Sequence, residues 1–317
     1  MSKILCIIDG MTDHGFSPAE YENLSKMKYA GERDTCCGCE PETLTCILHI
    51  LGAEVVPANL RGYAEALGAG VPTGETDLIL RGSRYSLKEN AELVAPLPNA
   101  EKAPIKLNDE NGKTYCNFYP IGDYRSIFVF PGKAGSIENL RTFPPSRGFA
   151  LARRPEGVEA VAKAFDFFRQ NDSCIALWGE SRECEVRRKT ALFPAGKTAI
   201  ITATTVVRGI AKLLDFDIID VPGATGDVDT DLRAKTEAAL AAAEKFENVV
   251  LHINGADEAS HRKNPARKKA FLGKVDREVI AALLASGHKI EVVSDHGTDP
   301  STGVHTGEKQ PVFRNFD

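Results

Sequence analysis

Lys3 to Ile8 is a continuous β-branched and apolar run that stops at Asp9-Gly10. Such a run predicts a strand buried on both faces that delivers an acidic side chain at its carboxyl end. The last third of the chain repeats the design. Asp231 to Phe246 has helical composition with one apolar face, and Asn248 to Ile253 (NVVLHI) predicts a strand, followed by the polar segment Asn254 to His261. Asp276 to Ala285 predicts a further helix closed by Ser286-Gly287, leading into a strand at Lys289 to Val293 and then Ser294-Asp295-His296-Gly297. Strands alternating with helices imply an α/β fold, a mainly parallel sheet between helices, with functional groups collected at the strands' carboxyl ends.

The middle of the chain follows another pattern. From about Asp77 to Phe130, extended segments are separated by turn signals, with Asn111-Gly112 between LND and KTYCNFY as the best hairpin signal. Glu156 to Gln170 then predicts a helix and Cys174 to Trp178 a strand. This reads as a smaller α+β module, residues 62–171, inserted into a discontinuous core of residues 1–61 and 172–317. A length of 317 residues, about twice a typical domain, suits two units.

Charge and cysteine content narrow the partners. With 39 basic and 44 acidic residues the net charge is −5 and the cations are scattered, which argues against binding to nucleic acid through phosphate contacts and for a small molecule. The apolar start is short and ends in an acidic residue, so neither a signal peptide nor a membrane span is expected. Eight cysteines without an export signal predict reduced thiols and a cytoplasmic setting. Cys36, Cys37, Cys39 and Cys46 do not match the paired CxxC frame of a zinc ribbon and are read as buried or reactive thiols.

Five of the seven histidines fall between His252 and His305, interleaved with Asp257, Glu258 and Asp295. Carboxylate oxygens with imidazole nitrogens and no sulfur are the donor mixture of a catalytic divalent ion. One helical turn puts Asp257 and His261 on a common face. Asp295-His296 sits at a strand end, His305 follows on a Gly- and Thr-rich loop, and Asp9 arrives at the same sheet edge through the first strand. Either short motif alone occurs often by chance; their joint placement after predicted strands, with Asp9 at a third strand end, predicts a metal site. His288 is read as an ordinary residue, and His252, inside a strand, as a packed histidine or a support for a ligand.

The segments IIDGM, PGATGDVDTDLRAK at 222–235, LHINGADEASH at 251–261 and VVSDHGTDPSTGVHTGEKQPV at 292–312 resemble the archaeal-type cofactor-independent phosphoglycerate mutases of the alkaline phosphatase superfamily. The likeness includes RGYAEALGAGV at 61–71 and IALWGES at 175–181. It implies an alkaline-phosphatase-like core and two divalent ions, Mn or Zn with Mg as a third candidate. Asp257, His261 and His305 would hold one ion; Asp9, Asp295, His296 and the nucleophile oxygen would hold the other. Counting back from Ile50-Leu51-Gly52 puts Thr43 where the family has its serine nucleophile. The substrate would be a small phosphorylated metabolite, bound by Arg61, Arg81, Arg125 and Lys235, with the inserted module as a lid.

The resemblance has gaps. The segment between Asp9 and Thr43 is short, and the family's Asp and Asn after the nucleophile are Leu44 and Ile47. The leading expectation is interconversion of 2- and 3-phosphoglycerate through phosphothreonine. The alternatives are a phosphatase or phosphotransferase on another small phosphoester, and a non-catalytic relative that binds metal or phosphometabolite.

Overall fold

A computed structural model of the chain describes residues 1–145, 150–187 and 192–317. It divides into two compact units, Met1–Val56 with Val186–Asp317, and Pro57–Glu185 between them.

The first unit carries a seven-stranded sheet. Its strands are β1 (Lys3–Ile8), β2 (Lys28–Arg33), β9 (Thr198–Ile201), β10 (Asp217–Ile218), β11 (Asn248–Ile253), β12 (Lys289–Val293) and β15 (Gln310–Arg314), in the order β10-β9-β11-β1-β12-β15-β2. The five from β10 to β12 run parallel, whereas β15 and β2 are antiparallel additions at one edge. The α/β class with a mainly parallel sheet is thus the one observed. β1 lies centrally, pairing Ile7 with His252 on one side and with Val293 on the other. This register brings the residues after β1, β11 and β12 to one edge of the sheet. Ile4, Cys6, Ile8, Val249, Leu251, Ile253, Ile290 and Val292 pack one face against α5 (Leu232–Ala243) and α7 (Pro265–Val275). Their alternates Leu5, Ile7, Val250 and Val293 are equally solvent-free, so both faces are covered, as parallel strands require. α1 (Thr43–Ile50) packs on α4 (Thr205–Leu213) in the same unit.

Local chemistry sets the helix limits. Asp231 caps α5 by accepting from the Ala234 N–H at 2.9 Å, and Asn264 caps α7 by accepting from the Arg267 N–H at 3.0 Å, with Pro265 at the first position. The helix expected to start at Asp276 therefore starts at Pro265, passes through a π turn at residues 276–280 and ends in α8 (Ala281–Ala285). The Asp276 carboxylate accepts from the backbone N–H groups of Asn23 and Leu24. The polar segment after β11 is a short helix, α6 (Gly255–His261). A small ribbon of β13 (Gly297–Thr298) and β14 (His305–Thr306) follows β12. Among the described residues no helix is long and apolar enough to cross a membrane.

The second unit is an antiparallel sheet of β3 (Leu78–Leu87), β4 (Leu93–Pro96), β5 (Ile105–Asn108), β6 (Thr114–Pro120), β7 (Arg125–Phe130) and β8 (Ser173–Ser181), with α2 (Arg61–Ala69) and α3 (Glu159–Phe168). The turn between β5 and β6 places Gly112 at φ +77°, a left-handed conformation that glycine adopts without strain. β8, which the sequence boundaries leave with the core, pairs with β3 along seven register positions from Ile79 to Ser86 and belongs here. Arg61 likewise opens α2 inside this unit. Phe118, Phe128 and Phe168 form an aromatic cluster, with ring centroids 4.7–5.4 Å apart.

The single tryptophan, Trp178, lies in this unit, so its fluorescence reports unfolding there. Phe118→Ala is expected to lower the unit's stability by about 3–5 kcal/mol, read as a lower urea midpoint of Trp178 emission.

Candidate metal centre

Asp9 follows β1 with no solvent exposure, and the next residue explains how a second element reaches it. Gly10 has φ +64°, and a Cβ there would lie 2.8 Å from the Cα of Asp257. Only glycine lets α6 close on this loop, where the Asp257 N–H donates to the Asp9 carbonyl at 3.1 Å. Asp295 and His296 come from the end of β12, also without exposure. Ser294 ties these ends together, accepting from the Met11 N–H and donating to the His296 carbonyl. Lys268 of α7, buried to 1% exposure, donates to the carbonyls of Thr12 and Thr298 and to the Asp13 carboxylate, lashing the loop after β1 to the loop after β12.

Two groups of donors converge here. In the first, Asp295 Oδ1 accepts from the backbone N–H groups of Gly10 (3.2 Å) and His296 (2.9 Å), and Asp9 Oδ2 lies 3.2 Å from His252 Nε2. Their other oxygens, Asp9 Oδ1 and Asp295 Oδ2, are buried with no hydrogen-bond partner among the described residues. Both face His296 Nε2, at 3.6 and 3.3 Å, and Thr43 Oγ1 is 3.4 Å from the same nitrogen. In the second, His261 Nδ1–H donates to the Gly303 carbonyl (3.0 Å) and His305 Nδ1–H to the Pro41 carbonyl (2.8 Å). Nε2 of each ring is then left to carry a proton toward Asp257 or, with that proton lost, to meet a metal ion. The two Nε2 atoms lie 3.1 Å apart and at 3.1 and 3.4 Å from the Asp257 carboxylate, which also accepts from Thr298 Oγ1.

Electrostatics express the same crowding. Burial, then the charges of Asp295 and Asp257, raise Asp9 well above the ordinary carboxylate range. Asp257 goes the other way: against burial, hydrogen bonds from His261 and His305 hold it well below that range. Asp257 in turn lifts His261 to about 9 although burial opposes this. Burial pushes His252 down to about 3, so its ring is neutral. Partnerless carboxylate oxygens and imidazole nitrogens gathered in one place are donors that a divalent cation takes in place of protons, offsetting the carboxylate charge. The residues present therefore fit such an ion.

The structure brings together all seven ligands implied by the sequence, Asp9, Thr43, Asp257, His261, Asp295, His296 and His305, with His296 common to both tight groups. Ser294, Thr298, Lys268 and Thr202 were not singled out from the sequence. Ser294 and Thr298 flank the SDHGT segment, whereas nothing in the sequence marks Lys268 or Thr202. Among the described residues the cysteines form no group of metal ligands; Cys36 and Cys46 are buried with sulfurs 3.5 Å apart, and Cys37 and Cys39 are exposed.

The arginines form a separate cluster in the second unit. Arg61 Nε and Arg81 Nη1 both donate to Glu65 Oε1, at 2.7 and 2.9 Å, and the Arg81 guanidinium lies 4.5 Å over the Trp178 ring. Glu65, which the sequence reading passed over, is 2% exposed, and Arg81, Arg61 and Arg125 hold its carboxyl below the usual range against burial. Lys235 requires a correction. Its ammonium is 1% exposed and donates to the His252 carbonyl at 2.6 Å, beneath the sheet edge, so it braces β11 and does not meet a ligand from solvent.

Fold and donor set together define a divalent-metal enzyme built on a mainly parallel α/β sheet. A family model described as the metalloenzyme superfamily matches residues 63–314. The 2,3-bisphosphoglycerate-independent phosphoglycerate mutase of Methanococcus aeolicus is 38% identical over 362 aligned positions, covering 98% of this chain and 88% of the relative. That of Archaeoglobus fulgidus is 26% identical over 369 positions, with the same two coverages. The chain belongs to the metalloenzyme superfamily and, within it, to the family of the archaeal 2,3-bisphosphoglycerate-independent phosphoglycerate mutases. Solved structures share the fold. The PH0037 protein from Pyrococcus horikoshii has a TM-score of 0.70 at 21% identity over 99% of this chain and 87% of its own. A cofactor-independent phosphoglycerate mutase from Thermoplasma acidophilum has a TM-score of 0.52 at 17% identity over 100% of this chain and 90% of its own.

Metal removal gives a test of the crowding. Asp295→Asn is expected to melt at a higher temperature than the wild type when both are metal-free, because one buried charge is gone. Mn2+ at a hundredfold excess over Kd should stabilise the wild type by about 2.7 kcal/mol and the variant by much less, read as thermal shifts with and without chelator.

Proposed function

We propose that this protein is a phosphoglycerate mutase that interconverts 2- and 3-phosphoglycerate through a phosphothreonine at Thr43, with two divalent ions, Mn or Zn, as cofactors and the cytoplasm as its setting. The observation that carries the reading is the placement of Thr43. Its hydroxyl opens α1, a helix with no acidic residue in its first turn, and lies 3.4 Å from His296 Nε2 in the donor cluster. The relatives named as mutases support the substrate.

Asp257, His261 and His305 would hold one ion, and Asp9, Asp295, His296 and Thr43 the other. Bound there, the pair supplies positive charge that favours the ionised hydroxyl and the developing charge on the phosphoryl oxygens. Thr43 Oγ1 attacks phosphorus in line as the bond from phosphorus to the glycerate oxygen breaks, leaving phosphothreonine and glycerate. The N-terminus of α1, which Thr43 opens, would favour negative charge on the phosphoryl oxygens. Glycerate then turns, and its other hydroxyl takes the phosphoryl group back. Arg61, Arg81 and Arg125 suit the carboxylate and phosphate of such a substrate, since guanidinium forks bind both in pairs of hydrogen bonds. The second unit acts as the lid that keeps water from the phosphoenzyme.

A second reading, a phosphatase or phosphotransferase acting on another small phosphoester, is favoured by Leu44 and Ile47. Both are buried, 3% and 0% exposed, and offer no polar group beside Thr43. Phosphorus NMR of Mn-loaded protein with 3-phosphoglycerate separates the readings. Conversion to 2-phosphoglycerate is expected, lowered by at least about a thousandfold in Thr43→Ala. Release of inorganic phosphate alone would favour the second reading. Unchanged turnover in Thr43→Ala would remove Thr43 as nucleophile, and an inert wild type would point to a non-catalytic binding protein.

A further inference from the structure

Asp9 and Asp295 meet the same pocket but are held by different means. Asp295 is oriented by main-chain donors, the N–H groups of Gly10 and His296, which no side-chain change removes. Asp9 depends on a side chain. Its Oδ2 lies 3.2 Å from His252 Nε2, and the other ring nitrogen, Nδ1, lies 3.1 Å from Thr202 Oγ1 at the end of β9. Thr202 Oγ1 accepts from the Thr204 N–H at 3.2 Å and keeps its hydroxyl hydrogen available for His252 Nδ1. An ionised Asp9, which can only accept, places the ring's proton on Nε2 and makes Nδ1 the acceptor. A neutral imidazole that accepts at Nδ1 carries its one proton on Nε2 and donates it to Asp9. All three side chains are nearly or wholly closed to solvent, with Thr202 4% exposed and His252 and Asp9 at 0%.

We propose that the chain Thr202–His252–Asp9 is a positioning relay: Thr202 selects the ring tautomer of His252, and His252 pins Asp9 Oδ2 so that the partnerless Oδ1 faces Asp295 and His296, ready for a cation. The proposal rests on the two-ion reading of the site. Hydrogen-bonded supports of metal ligands tune affinity by restricting the ligand's rotation and its basicity. Here the support is selective. Asp257, His261 and His305 take their own hydrogen bonds from or to Thr298, Gly303 and Pro41, none of which belongs to the relay. Weakening the relay therefore acts on one of the two ions.

The test is isothermal titration of metal-free protein with Mn2+, alongside thermal unfolding without metal. The wild type is expected to bind two ions. Thr202→Val, which keeps the shape and removes the hydroxyl, and His252→Leu are expected to weaken one site by about 10–100-fold while the other is unchanged. His252→Gln, whose side-chain amide reaches the place of Nε2 and donates from it, is expected to recover most of the loss. Equal weakening of both sites, no weakening in Thr202→Val, or no recovery in a folded His252→Gln would overturn the relay, as would a wild type that binds fewer than two ions. If His252→Leu does not fold, Thr202→Val still decides. A wild type that binds two ions and does not isomerise phosphoglycerate would overturn the proposed activity while leaving the relay standing.

Discussion

Asp9 and Asp295 are shut away from water, and each turns one oxygen without a donor toward the same imidazole nitrogen. Two like charges in such a place repel, and each loses hydration, so the pair is costly unless a cation or a proton intervenes. What holds them there is the register of three parallel strands. β1 lies between β11 and β12, and the residues beyond those three strands supply Asp9, Asp257, Asp295 and His296. Much of the surrounding detail follows from keeping the strand ends together. Gly10 admits α6, Ser294 knots the turns after β1 and β12, and a buried lysine from α7 closes their loops.

The two donor groups are fixed by opposite strategies. Asp9 and Asp295 carry oxygens pinned from behind by His252 and by main-chain N–H groups, leaving rigid bare positions in front. His261 and His305 are pinned through Nδ1 to main-chain carbonyls of loops, so their Nε2 atoms are aimed by Gly303 and Pro41. The exposure differs accordingly, with the His261 side chain at 42% and those of Asp9 and His296 at 0%. One donor group is thus enclosed by the sheet, and the other is the more exposed. Thr43 stands on the enclosed side, beside His296.

Charge in the second unit is managed by internal pairing. Glu65 accepts from Arg61 and Arg81 in a buried place, and the flat face of Trp178 lies against the Arg81 guanidinium. A carboxylate shared by two arginines fixes the direction of their forks, and Arg125 adds its positive charge to the field at Glu65. The aromatic cluster of Phe118, Phe128 and Phe168 gives that unit a separate core.

The first strand, the β11 and β12 strands and the hairpin around Gly112 were legible because each rests on local pattern: apolar runs that end in polar turns, and a glycine where the backbone turns left-handed. The donors Asp257, His261, Asp295, His296 and His305 were legible as motifs because their spacing encodes a helix turn and a strand end. The helix predicted from Asp276 begins earlier, at Pro265, where Asn264 caps it, and the Asp276 carboxylate serves another segment, Asn23-Leu24. β8 and Arg61 were assigned across the wrong boundary, since pairing with β3 and packing in α2 are contacts between distant residues that no local pattern records. Glu65, Lys268 and Thr202 escaped notice for the same reason, and Lys235 was given a ligand it does not face. A sequence by itself determines which side chains stand at the ends of its strands and turns. Only the tertiary structure decides which of those ends meet, because parallel register is set by hydrogen bonds between segments far apart in the chain. In this protein that register turns scattered carboxylates and imidazoles into a metal centre.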